Sequence, residues 1–385
     1  MTVPRRRVAV VLNDMHSSGG IQRVAANLVR DLRRWYDTTL LSVEPLRKDP
    51  VFKTADLDFQ SLNRVRRLPT RLGRITDFAI SGYAMRRFVA RNQIDTVLAI
   101  WYDWASVAAV MLPRGVKRIG CEHISFCEAT RRMRMVRALC FPHLDCAVSL
   151  TDEDLPLLAR ISKQARTIPN YIAEATPAPF GQREKILLTV GHLESRKGLD
   201  RLLWALKAPL LAHPDWKLVV IGGGEKGHVD WGFMDYVSVL LQVLQLEGRV
   251  EFHPATRRIN DWYRRASIYV MGSRREGLPM VLIEAKAHAL PVIAFDCPTG
   301  PRDIIRDGVD GVLVDNDTDA FSAAAMSLMA DPALRERMGQ AAREDSQLRY
   351  SADTVLAQWR DLIESLHGNE AFLSLAPASE LLAAR

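Results

Sequence analysis

Short apolar runs recur along the chain, separated by longer stretches whose apolar positions fall at helical spacing. RVAVVLN (7–13), TTLLSV (38–43), DTVLAIW (95–101), KRIGCEH (117–123) and DCAVSL (145–150) read as strands buried on both faces. Between them, SSGGIQRVAANLVRDLRRW opens a helix after a glycine pair, with Val24, Leu28 and Leu32 one turn apart. Leu72 to Asn92 reads as a second, amphipathic helix. The pattern restarts with KILLTVG (185–191) and continues through KLVVIGGG, VEFHP, ASIYVMGS, PVIAFD and GVLV. Strands alternating with helices predict an α/β protein with parallel sheets. Around IPNYIAEATPAPFGQREK the composition shifts to Pro and Ala, with Pro169, Pro177 and Pro179 marking a linker. The division expected is 1–172, a linker 173–184, a second domain 185–350, and a C-terminal helix and tail 351–385, the helix from Asp353 to His367 packing back across the interdomain region. Two facing Rossmann-like domains are the simplest account.

Composition narrows the class. A chain of 385 residues suffices for two cores, and 48% hydrophobic with 25% charged is that of a soluble globular protein. Cys121, Cys127, Cys140, Cys146 and Cys297 form an odd set without a C-x-x-C pair, so reduced thiols are expected rather than a disulfide frame or zinc site. No apolar run approaches the roughly 18 residues of a membrane span. The basic start MTVPRRR imitates a leader, but VAVVL is too short for its apolar core and is better read as the first strand. Residues 1–170 hold 28 Lys+Arg against 16 Asp+Glu (+12); the remainder holds 24 against 29 (−5), summing to the whole-chain +7. The basic half is clustered at Arg5–Arg7, Arg64–Arg74, Arg86–Arg91 and Arg131–Arg137. No nucleic-acid-binding motif accompanies it, so an anionic membrane surface or a lipid diphosphate is the expected partner, against a merely solvated surface as the alternative.

The chemistry concentrates in SRREGLPMVLIEAKAHALPVIAFDCPTGPRDIIRDG. It reads strand, loop, helix: SIYVM, then a loop from Gly272 to Leu278, then a helix from Met280 to His288 with Pro279 at its start. Glu276 falls at the carboxyl end of the strand, where open α/β sheets place ligands, and Glu284 one helical turn beyond Met280. The first-turn amides of Met280 and Val281, with the helix dipole, favour an anion such as phosphate. A phosphate site beside two carboxylates suits a ligand with a phosphate and several hydroxyls, of which a nucleotide sugar is one. Without further context, two glutamates at this spacing are more often simply an acidic helix start. In VGHLESRKGLDRLLWAL, Arg196 and Lys197 sit on a strand-to-helix loop, as a leaving diphosphate requires, although an Arg-Lys pair alone is more often solvated. Gly19 and Gly20 allow close backbone approach at the first strand's end. Gly222, Gly224 and Gly227 match a dinucleotide fingerprint, but they follow the second unit of their half and not its first strand, so a nicotinamide cofactor is not expected. His123 closes the IGCEH strand; a lone histidine there is more often structural. The Asp56–Asp58, Asp152–Asp154 and Asp315–Asp317–Asp319 pairs are read as solvated loops or caps rather than metal ligands.

Taken in order, Gly19-Gly20-x-x-Arg23, Glu122–His123, Ile168-Pro-Asn170, the VG…RKG loop and EGLPMVLIEA resemble the GT-B glycosyltransferases, specifically the large retaining family 4 (group 1), over residues 10 to about 315. The resemblance implies transfer of a sugar from a UDP- or GDP-linked donor to an acceptor hydroxyl, without cofactor or metal. The acceptor expected is a lipid-linked saccharide in bacterial surface polysaccharide assembly, met by a cytoplasmic enzyme peripheral on the inner face of the membrane. Carried over residue by residue, His123 and Glu276 would be catalytic. Gly19, Gly20, Arg196, Lys197, Gly277, Met280, Val281 and Glu284 would bind the donor. Many members have Arg directly after the first Gly of the loop, where this chain has His192, so Arg196 or His192 itself would meet the phosphate. Lys286 and Ala289 replace the commoner Met and Gly and are expected to matter little for chemistry. A two-domain nucleotide-sugar epimerase and a catalytically silent nucleotide-sugar-binding partner are the rival readings.

Overall fold

The computed structural model describes residues 5–15, 20–45, 55–64, 71–123, 125–223 and 229–368, with no side chain described for 71–75 or 127. Contacts divide the chain into two units: residues 1–170 with 355–385, and residues 171–354.

In the first unit, strands β1 (Arg7–Leu12), β2 (Asp37–Ser42), β3 (Phe59–Ser61), β4 (Thr96–Ile100), β5 (Lys117–Cys121), β6 (Cys146–Ser149) and β7 (Ala165–Thr167) form a parallel sheet in the order β3-β2-β1-β4-β5-β6-β7. Helices α1 (Gly20–Leu32), α2 (Arg71–Arg91), α3 (Tyr102–Met111), α4 (Arg131–Cys140) and α5 (Leu155–Ala159) connect them. The central strands read as unbroken apolar runs because the sheet is covered on both faces; all of Thr96–Ile100 is buried. Strand order reverses between β1 and β4, the crevice where such sheets hold ligands.

The second unit repeats the plan. Strands β8 (Ile186–Val190), β9 (Lys217–Ile221), β10 (Val250–His253), β11 (Ile268–Met271), β12 (Val292–Phe295) and β13 (Gly311–Val314) run parallel in the order β10-β9-β8-β11-β12-β13. They alternate with α6 (Leu199–Ala212), α7 (Trp231–Leu244), α8 (Ile259–Arg265), α9 (Met280–Ala287), α10 (Pro301–Ile304), α11 (Thr318–Ala330) and α12 (Pro332–Tyr350). Here the order reverses between β8 and β11, so the loops that follow these two strands meet at the crevice. Helix α13 (Ala352–Leu366) belongs to the first unit from Val355 onward, tied there by Tyr36 Oη donating to Glu364 (2.9 Å) and by Arg166 with Asp361 (2.6 Å).

Three residues take places that the sequence alone does not announce. Arg137, counted in a basic surface cluster, is buried: it pairs through Nε with Glu122 Oε1 (3.0 Å) and lies over the Tyr102 and Phe126 rings. Lys286 is no minor variation. It is buried at the centre of an ion network with Asp345 (2.6 Å) and Asp310 (3.1 Å), flanked by Arg306 and Arg349. Ala289 lies beyond α9 and not on it. Its N–H bonds to Lys286 O (2.9 Å) and that of Leu290 to Ala285 O (3.1 Å), the paired bonds of a Schellman cap, with Ala289 at φ 57 where glycine is preferred. Ala289→Gly should therefore raise unfolding stability by about 1 kcal/mol by relieving the left-handed Cβ clash. A denaturation midpoint equal to or below wild type would contradict that.

Candidate active site

The site in the second unit is built from backbone before any side chain enters. Gly198, at φ 63, starts α6, and a Cβ there would lie 1.8 Å from Gly272 O. Only glycine allows the β8 loop and the β11 loop to touch in this way. Arginines fix the junction: Arg201 Nε donates to Gly272 O (2.6 Å), and Arg274 pairs with Asp200 (2.7 Å) while its backbone N–H donates to Arg196 O (2.8 Å).

This junction delivers the Arg196–Lys197 turn onto Glu276. Lys197 Nζ is 2.7 Å from Glu276 Oε1, Ser273 Oγ donates to the same oxygen at 2.5 Å, and Arg196 stands 3.9 Å from Oε2. Arg196 is also held by Glu194 (2.8 Å). Glu276 is buried, and its backbone is gripped by the loop after β12: its N–H donates to Pro298 O (3.0 Å) and Thr299 N–H donates to its carbonyl (3.0 Å). The next residues, Gly277 and Leu278, lead into α9, whose first turn carries Met280 and Val281, both half-buried. Their N–H groups precede the intrahelical ladder and face the end where the dipole is positive.

Glu284, on the next turn of α9, is held by a different group. Tyr263 Oη, on α8, donates to Glu284 Oε2 (3.0 Å), and the Tyr263 ring stacks on His288 (5.1 Å between centroids). His288 in turn meets Glu284 O through Nδ1 at 2.8 Å. Buried Tyr269 lies near both carboxylates: burial first, then the charges of Glu276 and Glu284, push its hydroxyl upward in pKa. Two acids therefore flank one aromatic floor, with two cations and a helix N-terminus beside them. Such a site can hold an anion and accept hydrogen bonds from several hydroxyls at once.

In the first unit, His123 sits at the carboxyl end of β5, and burial pushes its pKa down to about 4. At neutral pH it is uncharged. The residue before it, Glu122, is the one paired with Arg137; burial pushes its carboxyl up, against the pull of that arginine. At the adjacent end of β4, Trp101 adopts φ 82, a strained value for a residue with a Cβ. Gly20 is the first residue of α1, while Gly19 lies outside the described residues.

Among the expected residues, the structure thus brings Arg196, Lys197 and Glu276 into contact, sets Gly277, Met280, Val281 and Glu284 on the following turn and helix, and leaves His123 and Gly20 in the other unit. His192 is exposed on the β8 loop, and it is Arg196 that reaches Glu276. The sequence reading missed Ser273, Tyr263, Thr299 and Arg274; the last three act across the fold, so no local spacing announces them, and Ser273, three residues before Glu276, is a single small polar residue in a loop. Gly222 is explained by packing: a Cβ there would sit 1.8 Å from Gly191 O, so it serves the approach of the β8 and β9 loops, while Gly224 and Gly227 lie outside the described residues. The aspartate pairs have local partners. Asp56 bonds Arg30, Asp58 accepts from Thr39, Asp154 accepts from Phe126 N, and Asp317 caps α11. Among the described residues, no group of three His, Cys, Asp or Glu is placed to hold a metal.

Residues 174–345, which contain this whole constellation, match the sequence family of glycosyl transferases group 1. Over that stretch the chain is similar to group 1 glycosyltransferases. The chain is 29% identical over 379 residues to the amylovoran biosynthesis glycosyltransferase AmsD of Erwinia amylovora, covering 93% of this chain and 99% of that one. Its fold is shared with sucrose-phosphate synthase from Thermosynechococcus elongatus (TM-score 0.79, 20% identity, 94% of this chain and 100% of that one). It is shared also with Anabaena Alr3699/HepE in complex with UDP (TM-score 0.77, 14% identity, 94% and 100%). The two parallel-sheet units of this glycosyltransferase are accordingly the two Rossmann-like domains of the GT-B fold.

Proposed function

We propose that the protein is a retaining, metal-independent member of glycosyltransferase family 4. It moves a sugar from a UDP- or GDP-linked donor to a hydroxyl of a lipid-linked saccharide during assembly of a bacterial surface polysaccharide. The observation that carries this reading is the Lys197–Glu276 pair at the strand-order reversal, next to the N-terminus of α9 and Glu284. A relative named for amylovoran biosynthesis and a structural neighbour crystallised with UDP support the substrate classes.

Each residue takes a role from its chemistry. Arg196 and Lys197, with the amides of Met280 and Val281, hold the diphosphate as its charge grows. Glu284 accepts from the ribose hydroxyls and Glu276 from the donor sugar. Gly19 and Gly20 are assigned to donor binding. Neutral His123 orients the sugar or the acceptor. The bond from the anomeric carbon to the phosphate oxygen breaks, and a bond to the acceptor oxygen forms on the same face. The acceptor proton passes to the departing phosphate oxygen, and the nucleoside diphosphate leaves. Cations and helix amides already meet the phosphate charge, so no divalent ion is required. In a donor panel of UDP, GDP, ADP and their sugars with EDTA present, one nucleotide should raise the melting temperature and its sugar should be turned over with lipid-linked acceptors, the product keeping the donor's anomeric configuration. Activity lost to EDTA and restored by Mn²⁺ would contradict the reading.

Tyr263 orients Glu284 without touching the sugar. Tyr263→Phe should weaken donor binding about fivefold, ~1 kcal/mol, with turnover at saturating donor unchanged. An unaltered dissociation constant would remove Tyr263 from this role.

The basic first half supports attachment to the membrane's inner face. Among the described residues no helix is long and apolar enough to cross a bilayer. Helix α4, however, exposes Arg131, Arg132 and Arg134 together with Met135 and Leu139, and α2 exposes Arg86, Arg87 and Arg91. Each arginine close to an anionic leaflet contributes about 1 kcal/mol, screened by salt. Binding to vesicles containing anionic lipid should fall steeply with salt and weaken when Arg131, Arg132 and Arg134 are replaced by serine. Equal sedimentation with neutral and anionic vesicles at low salt would make this a soluble surface.

A further inference from the structure

We infer that two copies of this chain associate through the second unit, joining the open edge of its sheet at β10 and the flank of α7 beside it. Strand β10 ends the sheet order, with β9 on one side only. Leu218 N–H donates to Arg249 O and Gly222 N–H to His253 O, so those alternate residues face β9. The intervening Val250 and Phe252 then turn their N–H and C=O groups outward, the pattern to which another strand adds.

The side chains at this edge are apolar as well. Phe252 is in register with Val220, and Val250 with Leu218, which places both on the sheet face covered by Val237, Leu240 and Leu244 of α7. Phe252 is 37% exposed there. On α7, Tyr236, Val239 and Val243 are 50%, 58% and 63% exposed and fall three and four residues apart, on one flank of the helix. Met234 and Leu241, on the opposite flank, pack against the core. The only charged side chain of α7 is Asp235.

A second copy fits this surface better than a bilayer does. The patch has no cation on α7, and the second unit, residues 171–354, carries a net −3 (22 Lys+Arg, 25 Asp+Glu), so an anionic leaflet is not attracted. The four exposed side chains offer on the order of 400 Å² per copy; about 800 Å² across a pair, with the strand edges added, reaches the ~1,000 Å² of a specific interface. A two-fold axis pairs β10 antiparallel with its own counterpart and sets the two α7 helices antiparallel. Val239, mid-flank, then lies near the axis, and the two Asp235 carboxylates fall at opposite ends of the contact.

Sedimentation velocity of the full chain across the micromolar range tests this. Wild type should sediment as a dimer of the 43.3 kDa chain, and Val239→Glu/Val243→Glu as a monomer with unchanged melting temperature and unchanged nucleoside diphosphate binding. Val239→Cys should form a covalent dimer on mild oxidation where wild type does not. A monomeric wild type at the highest concentration, or a dimer that survives the double substitution, would overturn the inference. So would binding to neutral vesicles that the double substitution abolishes, which would make the patch a lipid contact.

Discussion

Glu276→Gln should fold normally and lose sugar transfer by at least about 100-fold, since two charge-assisted hydrogen bonds at ~1.5 kcal/mol each amount to that factor. The change keeps the shape of a buried side chain that accepts from Ser273 and faces Lys197, but it removes the charge that both of them address and that the proposed function assigns to the sugar hydroxyls. Lys197 retains partial solvent access, so it is not left buried without a counter-ion, and the thermal midpoint should move little. Glu284→Gln should instead act mainly on donor binding. Initial rates at varied donor concentration separate the two, and wild-type activity in both variants would remove the core of the functional assignment.

A second large effect is expected far from the chemistry. Lys286→Met should destabilise the protein by about 3–5 kcal/mol, because it removes the fully buried cation at the centre of the network and leaves Asp310 and Asp345 only the more exposed Arg306 and Arg349 in a desolvated site. The pH dependence identifies the cause. Burial pushes Asp345 upward, but Lys286 and Arg349 together outweigh it and hold the carboxyl below its ordinary range. A depressed folded-state pKa contributes stability that is present above the unfolded value, near 3.9, and lost as pH falls through the folded one. In the variant burial is opposed by the arginines alone, so the carboxyl is held down less, and less of this stability is present at neutral pH. The gap between the two proteins should be widest near neutral pH and narrow toward pH 4 in urea titrations; a gap independent of pH would exclude the ion network as its source.

The alternation of strands and helices is legible in the sequence because parallel strands covered on both faces must be apolar throughout, as DTVLAIW and PVIAFD are. The short strands β3 and β7 escape because they lie at the sheet's edges and bury little, so no continuous apolar run marks them. Glu276, Glu284, Arg196 and Lys197 announce themselves through charge at strand-to-helix junctions. What fixes them does not. Ser273 is one small polar residue among many, Tyr263 reaches Glu284 from another helix, and Thr299 acts through its backbone. Ala289 shows the same limit from the opposite side: nothing in its spacing marks a left-handed residue, and only the paired cap bonds reveal it. Arg137 reads as surface charge until its partner, Glu122, is found fifteen residues away in sequence.

The central claim is that the loops after β8 and β11, with the start of α9, hold a nucleoside diphosphate. Calorimetric titration of UDP, GDP and ADP into wild type and Lys197→Met tests it most directly. One nucleotide should bind wild type, and the variant should bind it at least about tenfold more weakly, ~1.4 kcal/mol for a lost charge-assisted contact to phosphate. No binding of any of the three to wild type, or equal affinity in both proteins, would contradict it.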